Sequence, residues 1–505
     1  MPEICETLLR VDRHPKEPVF RGMKAFITYL ILAGGLLLSG CATNPVTGKQ
    51  DLVLMTEDQE ISLGRRAHQD LMRQYRPYND PELQNYVAGI VRDLSQQSHR
   101  KDLVFHVTVL DSPEINAFAL PGGYIYITRG IMAYMNTEAE MAGVLGHEIG
   151  HVTARHGVQQ QSTGAVADLL GKGLEVLTGS QVASQAAGIG SMALIRGYGR
   201  KHELEADRLG AEYLARVGYD PKEMLSVVGI LKSQEEFERK LAKQEGREPN
   251  IYHGVFATHP DNDTRFKEVV QAANKFKSPV ARKVNREKFL GFIDGLPVGP
   301  SASDGVLRGH KFYHGDLDLV IVFPEGWKVD NRPDRLVAGP ANRELQLQIT
   351  VEDLNRYLTP REYLVQRTQG RLRQGKDIQT ADFTGYTGRT SLNVKGTARP
   401  GRVAVLFQDT RIYTIAAIGE NQSALDRHDS AVLSTVKSMR NLKGSERKLA
   451  EPQRIRLVRV KPGDTFASLA DQSTLTNHPV EQLRLLNGMF PEGEPEPGQW
   501  IKLVR

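Results

Sequence analysis

The sequence predicts a multidomain α+β chain: a mainly helical first domain with a small sheet, then an α+β unit, then a small module on the C-terminal side. Three observations predict it. At 505 residues the chain is longer than one core usually serves, since domains run to about 100–200 residues. Helical periodicity dominates to about Phe276, and strand-like alternation follows Pro297-Val298-Gly299-Pro300-Ser301-Ala302-Ser303, a stretch of linker composition. A polar, basic stretch from Lys443 to Arg456 then sets off a further short module. The expected division is a leader at 1–41, a first domain at 42–280, a linker at 281–305, an α+β domain at 306–443, a linker at 444–455 and a module at 456–505.

Composition narrows the function classes. With 40% hydrophobic and 25% charged residues the body fits neither wholesale disorder nor a polytopic membrane protein. A net charge of +5, from 65 basic and 60 acidic residues, gives nucleic-acid binding no support. Cys5 and Cys41 are the only cysteines, so there is neither a disulfide framework nor a cysteine-type zinc site.

The N-terminal segment points outside the cytoplasm. Ala25 to Leu38 form a largely apolar run between Lys24 and Ser39-Gly40-Cys41, too short to span a bilayer. It reads as the apolar core of a signal peptide, with Met23 as an alternative start to Met1. Leu38-Ser39-Gly40-Cys41 resembles a bacterial lipobox, which implies lipidation of Cys41, and Ala42 favours the outer membrane by the enterobacterial sorting rule. An uncleaved anchor helix ending near Cys41 is the alternative.

Along the body, Ile61, Gly64, Ala67 and Leu71 give a helix over Glu57 to Tyr75 one apolar or small face, and a second helix is expected from Pro81 to Gln97. Leu103 to Leu110 and Tyr124 to Thr128 read as strands. Thr137 with Glu140 is a capping-box signature that starts a helix running to about His156. Leu169 to Ile195, rich in Gly, Ala and Ser, suggest loosely packed helices or a mobile cover. Further helices are expected over Lys201 to Val217, stopped by Gly218, and over Asp263 to Phe276. Beyond the linker, strands are expected at Leu317 to Phe323, Leu345 to Val351, Val403 to Phe407 and Ile412 to Ile418, with helices near Pro360 to Arg373 and His428 to Arg440.

His147-Glu148-Ile149-Gly150-His151 is H-E-x-x-H. On a helix, spacing of four puts both imidazoles on one face, where they can share a metal, and zinc is the expected ion. Glu148 flanks that metal without having to bind it, which suits a general base acting on water. Val144-Leu145-Gly146, Ile149, Gly150 and Val152 are apolar or small, as on a buried helix, and burying His147, Glu148 and His151 without a metal is costly. In Glu203-Leu204-Glu205-Ala206-Asp207, Glu203 and Asp207 share a helical face. Glu203 is therefore the expected third ligand, and Asp207 the carboxylate supporting a ligand histidine, while Glu205 points elsewhere. The bland alternative is an acidic, solvated helix face.

Four segments, namely Asn44-Pro45-Val46-Thr47-Gly48, Asn116-Ala117-Phe118-Ala119, the H-E-x-x-H and Glu203 to Asp207, make residues from about Asn44 to Phe276 resemble the gluzincin metallopeptidases. That family includes the HtpX and BepA-like bacterial proteases and the CAAX prenyl endopeptidases, and the match is to its periplasmic lipoprotein branch. The resemblance implies a zincin fold with one zinc per chain. It implies that Asn116 and Ala117 lie on or beside an edge strand that pairs with extended substrate. It also implies that His259, followed by Pro260, lies near the metal, either filling the open position at rest or stabilising the oxyanion. His156, His202 and His253 have no such match and are treated as ordinary polar residues.

Downstream, Phe323-Pro324-Glu325-Gly326-Trp327 and the helix ending Ser438-Met439-Arg440 resemble a PsbP-like domain, with Trp327 expected in its core. Val458, Lys461-Pro462-Gly463-Asp464-Thr465, Asn487-Gly488 and Pro497-Gly498-Gln499 resemble a LysM module, though Met489 to Glu496 is longer than its usual connection. The expected function is a zinc endopeptidase of the bacterial envelope, acting on unfolded or misassembled proteins, lipid-anchored in the periplasm and in contact with peptidoglycan through the C-terminal module. A chaperone-like binding protein with a structural metal is the competing class, and the intact Glu148 disfavours it.

Overall fold

The structure is a computed structural model, and it describes residues 41–164, 198–249 and 283–505 apart from 302, 333 and 395. The leader before Cys41, the helices expected in Leu169 to Ile195 and Asp263 to Phe276, and the residues His253, His259 and Pro260 lie outside the described residues.

A short hairpin, β1 (Cys41–Thr43) and β2 (Gln50–Leu52), leads into helix α1 (Glu57–Leu71), which Thr56 caps through a complete capping box. Its inward face is Glu60, Gly64, Ala67 and Leu71. Glu60 is the departure from the expected apolar stripe: 1% exposed, it accepts from Arg100 and from Arg155, each at 2.8 Å, while Ile61 is only half-buried. Helix α2 (Pro81–Ser95) follows, started by Asp80 and Pro81.

Three strands then form one sheet in the order β3-β5-β4. β3 (His106–Leu110) runs parallel to β5 (Tyr124–Thr128), and β4 (Ala117–Leu120) lies antiparallel on the other side of β5, as an outer strand. The sequence pattern missed β4 because all four of its residues are buried, which leaves no alternation to detect. Helix α3 (Arg129–Tyr134) starts at the Thr128 cap, and α4 (Glu138–Thr153) at Thr137, whose side chain accepts from Glu140 N at 3.0 Å. The reciprocal half of the box is displaced by one residue, with Asn136 N donating to the Glu140 carboxylate. Helix α4 stops before the expected His156, because Arg155 takes up a left-handed backbone (φ 59°).

Helix α5 (Arg200–Val217) ends at Gly218, whose φ of 94° is open to glycine, and α6 (Glu223–Gln244) follows directly. Residues 283–305 carry α7 (Arg286–Ile293) and a two-residue strand β6 (Pro297–Val298).

The α+β unit begins with a three-stranded sheet of β7 (Val306–Arg308), β8 (Lys311–His314) and β9 (Leu319–Val322). A seven-stranded antiparallel sheet follows, in the order β10-β11-β12-β16-β15-β14-β13, with β10 at Lys328–Arg332, β11 at Arg335–Gly339, β12 at Leu345–Asp353, β13 at Arg373–Gln379, β14 at Thr384–Val394, β15 at Thr397–Gln408 and β16 at Arg411–Gly419. Helix α8 (Pro360–Arg367) packs Leu364 on Val403, Val405 and Ile412. On the opposite face α9 (Gln422–Ser438) packs Leu425, Val432 and Val436 on Leu347, Ile415 and Ala417, with half-buried Trp327 against the same core.

The C-terminal unit is β17 (Gln453–Arg459), α10 (Phe466–Ala470), α11 (Pro479–Leu486) and β18 (Trp500–Val504). β17 pairs antiparallel with β18 on one side and with β6 on the other. Its Phe466, Leu483, Ile501 and Leu503 join the cluster that holds Met141, Leu145 and Ile149 of α4, so this unit and the first domain share one core, while the α+β unit has its own. Among the described residues no helix is long and apolar enough to cross a membrane.

Candidate metal centre

Every residue of α4 is buried, so the apolar residues around H-E-x-x-H have packing partners on all sides. α5 comes close because the contact is built from small residues. A Cβ on Gly150 would stand 2.8 Å from the Ala206 carbonyl oxygen, and one on Gly210 would stand 3.0 Å from His147 N. That close approach brings Glu203 and Asp207, one turn apart on α5, against His147 and His151, one turn apart on α4.

The three donors converge. His147 Nε2 and His151 Nε2 are 3.0 Å apart, and the two Glu203 oxygens each lie 3.5 Å from one of them. Tetrahedral zinc with ligands at about 2.0–2.1 Å has edges of about 3.3 Å, so the set fits zinc. Glu203 is fully buried and His151 is 1% exposed. Two imidazole nitrogens and a carboxylate at this range, out of water, call for a cation between them. His147 Nδ1 lies 2.7 Å from Asp207 Oδ1.

Glu148 is 2% exposed and, with His147, Ala117, Ile131, Gly143, Val144 and the α6 residues Met224, Val227, Val228 and Leu231, lines a small cavity of about 20 Å³. A larger cavity, about 400 Å³, lies elsewhere, lined by Asp111 and Glu114 on one side and by Asp304 and Asp330 on the other. Tyr198 stacks on His151 at 4.1 Å, and burial, then the charges of Glu148 and Glu203, push its phenol well above the usual range.

Asn116 is buried just ahead of β4, where its carbonyl accepts from Thr128 N at 3.0 Å, and Ala117 opens the strand beside Glu148. Three residues set aside on sequence grounds, His156, His202 and Glu205, lie beside this centre. His156 is fully buried, with Nδ1 2.9 Å from His151 Nδ1, and Glu205 turns toward His156, its Oε2 3.5 Å from Nε2. His202 stacks on His156 at 4.3 Å, and burial, then the neighbouring His156, lower its pKa to about 4. The five-residue step from His151 to His156 carries no helical signal, because Arg155 breaks the helix between them.

Residues 80–273 match the model of Peptidase family M48. A beta-barrel assembly-enhancing protease of Escherichia coli K12 is 29% identical over 233 residues, covering 44% of this chain and 46% of that protein. The mitochondrial metalloendopeptidase OMA1 of Arabidopsis thaliana is 32% identical over 176 residues, covering 35% of this chain and 33% of that protein. The chain thus spans half or less of the length of these relatives. Among solved structures, PsbP from Synechocystis sp. PCC 6803 covers 27% of this chain and 96% of its own, at 13% identity and a TM-score of 0.22. His147, Glu148, His151 and Glu203 all fall within the span that is similar to Peptidase family M48.

Proposed function

We propose that this chain is a zinc-dependent endopeptidase of the bacterial cell envelope that hydrolyses peptide bonds of unfolded or misassembled envelope proteins. The observation that carries this reading is the buried convergence of His147, His151 and Glu203, with Glu148 beside them and not needed as a ligand. These three residues hold one zinc, and Asp207 keeps the His147 ring oriented. Zinc, when bound, supplies a Lewis acid that makes water nucleophilic at neutral pH. Glu148 takes the proton of the attacking water and returns it to the leaving amine. Ala117, opening an outer strand beside Glu148, pairs with the main chain of an extended substrate, with Asn116 at its head. Main-chain pairing of this kind requires unfolded substrate.

Cys41 carries the lipid that holds the enzyme to the outer membrane on its periplasmic side, and the LysM-like residues 456–505 offer a contact to peptidoglycan. His259 either fills the open metal position, in which case His259→Ala raises basal cleavage, or stabilises the oxyanion, in which case it lowers it.

The test is zinc content and casein cleavage of the wild type and Glu148→Gln. The variant should keep its zinc and lose cleavage by on the order of a hundredfold or more. Undiminished cleavage by the variant, or a wild type without zinc, defeats the reading.

A further inference from the structure

His151 and His147 both present Nε2 to the shared centre, so both need a partner at Nδ1 to fix the ring and its proton. For His147 that partner is Asp207. For His151 it is His156, at 2.9 Å, with no exposed surface. We propose that His156 is a positioning residue for His151, and that Glu205 in turn fixes His156.

The hydrogen-bonding polarity follows from one requirement. A metal on His151 Nε2 uses that lone pair, so the proton of neutral His151 sits on Nδ1 and must be donated. His156 Nδ1, 2.9 Å away, is in place to accept it. A neutral His156 that accepts at Nδ1 carries its own proton on Nε2, the atom that faces Glu205 Oε2 at 3.5 Å. Both protons thus run outward from the centre, from His151 to His156 to Glu205.

The backbone is bent to make this possible. His156 follows Arg155 in its left-handed conformation, which costs a non-glycine residue free energy and persists only where its surroundings enforce it. Arg155 Nε donates to Glu60 at 2.8 Å and its guanidinium to the Met55 carbonyl at 3.0 Å. Arg100, also held by Glu60, donates to the Val152 carbonyl at 3.1 Å. The buried Glu60, unexplained by any helical pattern, thereby holds the turn that brings His156 back beneath His151. The His202 ring closes the other side, stacked at 4.3 Å.

This proposal rests on the zinc-site reading, and metal binding tests it apart from catalysis. In the full chain, zinc affinity by chelator competition and zinc release rate would be compared for the wild type, His156→Leu and His156→Asn, with metal-free folding followed by circular dichroism. Leucine fills space without accepting, while asparagine keeps an acceptor near the Nδ1 position. His156→Leu should weaken zinc by about 10–100-fold, and His156→Asn should recover most of that loss. Wild-type affinity in His156→Leu, or equal losses in the two variants, would overturn the proposal. Should His156→Leu not fold, Glu205→Leu takes its place: it should release zinc severalfold faster than Glu205→Gln, and equal rates would overturn the proposal. A wild type that binds no zinc would instead sink the reading of the centre itself.

Discussion

Lys502 Nζ donates to the Met135 carbonyl at 2.7 Å, so a side chain of the C-terminal unit closes the turn that leads into α4. It donates equally to the Ala133 carbonyl, also at 2.7 Å, and is fully buried. Burial pushes the Lys502 ammonium well below its usual range, and burial raises Glu140 on the first turn of α4. Lys502→Met keeps the apolar stem and removes the donor, leaving two buried carbonyls unsatisfied. Urea unfolding should show a loss of about 1–3 kcal/mol. An unchanged midpoint would mean that water or a shifted backbone replaces the ammonium.

Glu203→Ala should strip the protein of zinc, whereas Glu205→Ala should leave it mostly loaded. Glu203 reaches both histidine Nε2 atoms, while Glu205 reaches the centre only through His156. Metal content by atomic absorption decides this, and equal losses would show that the wrong carboxylate was assigned to the metal.

Gly150→Ala should loosen the metal centre without touching a ligand. The added Cβ would meet the Ala206 carbonyl oxygen at 2.8 Å, and a backbone atom cannot swing aside as a flexible side chain can, so α4 and α5 must separate. Because α5 carries Glu203, zinc should leave faster and the melting temperature should fall. A wild-type release rate would count against small-residue contact as what sets Glu203 in place.

Glu138 predicts a pH dependence. Burial alone would raise its carboxyl, but hydrogen bonds from Tyr219, Asn285, Tyr86 and Lys288 outweigh burial and hold it below 4.5. A carboxyl depressed in the folded state stabilises the fold fully above its unfolded pKa, and that contribution fades as pH falls from 4.5 through the folded value. Stability of the wild type should therefore drop across that window, and Glu138→Gln should be less stable at pH 7 with a flatter acid limb. Parallel curves would assign the acid sensitivity elsewhere.

The parts of this molecule legible in the sequence were those set by local spacing. Thr137, the two histidines four apart, and Glu203 with Asp207 announce themselves because one helix turn brings each set together. Glu60 was illegible because its arginines stand 40 and 95 residues away. His156 was illegible because its role depends on a backbone reversal at Arg155 that arginine does not advertise. β6 is only two residues long and gains meaning from a partner strand more than 150 residues downstream. Helix α6 escaped notice for a different reason: it lies directly after the Gly218 and Pro221 that mark the end of α5, and its pattern is weakly amphipathic.

The bond between Lys502 and Ala133 joins residues 369 positions apart, with the whole α+β unit translated between them. Contacts this distant close late, after both ends have been made and brought together. A ribosome that has delivered α4 and α5 has therefore delivered His147, His151 and Glu203, yet the turn ahead of α4 still waits for β18. The buried centre on α4 thus reaches its final form only after residues 369 positions downstream have been made and brought back to it.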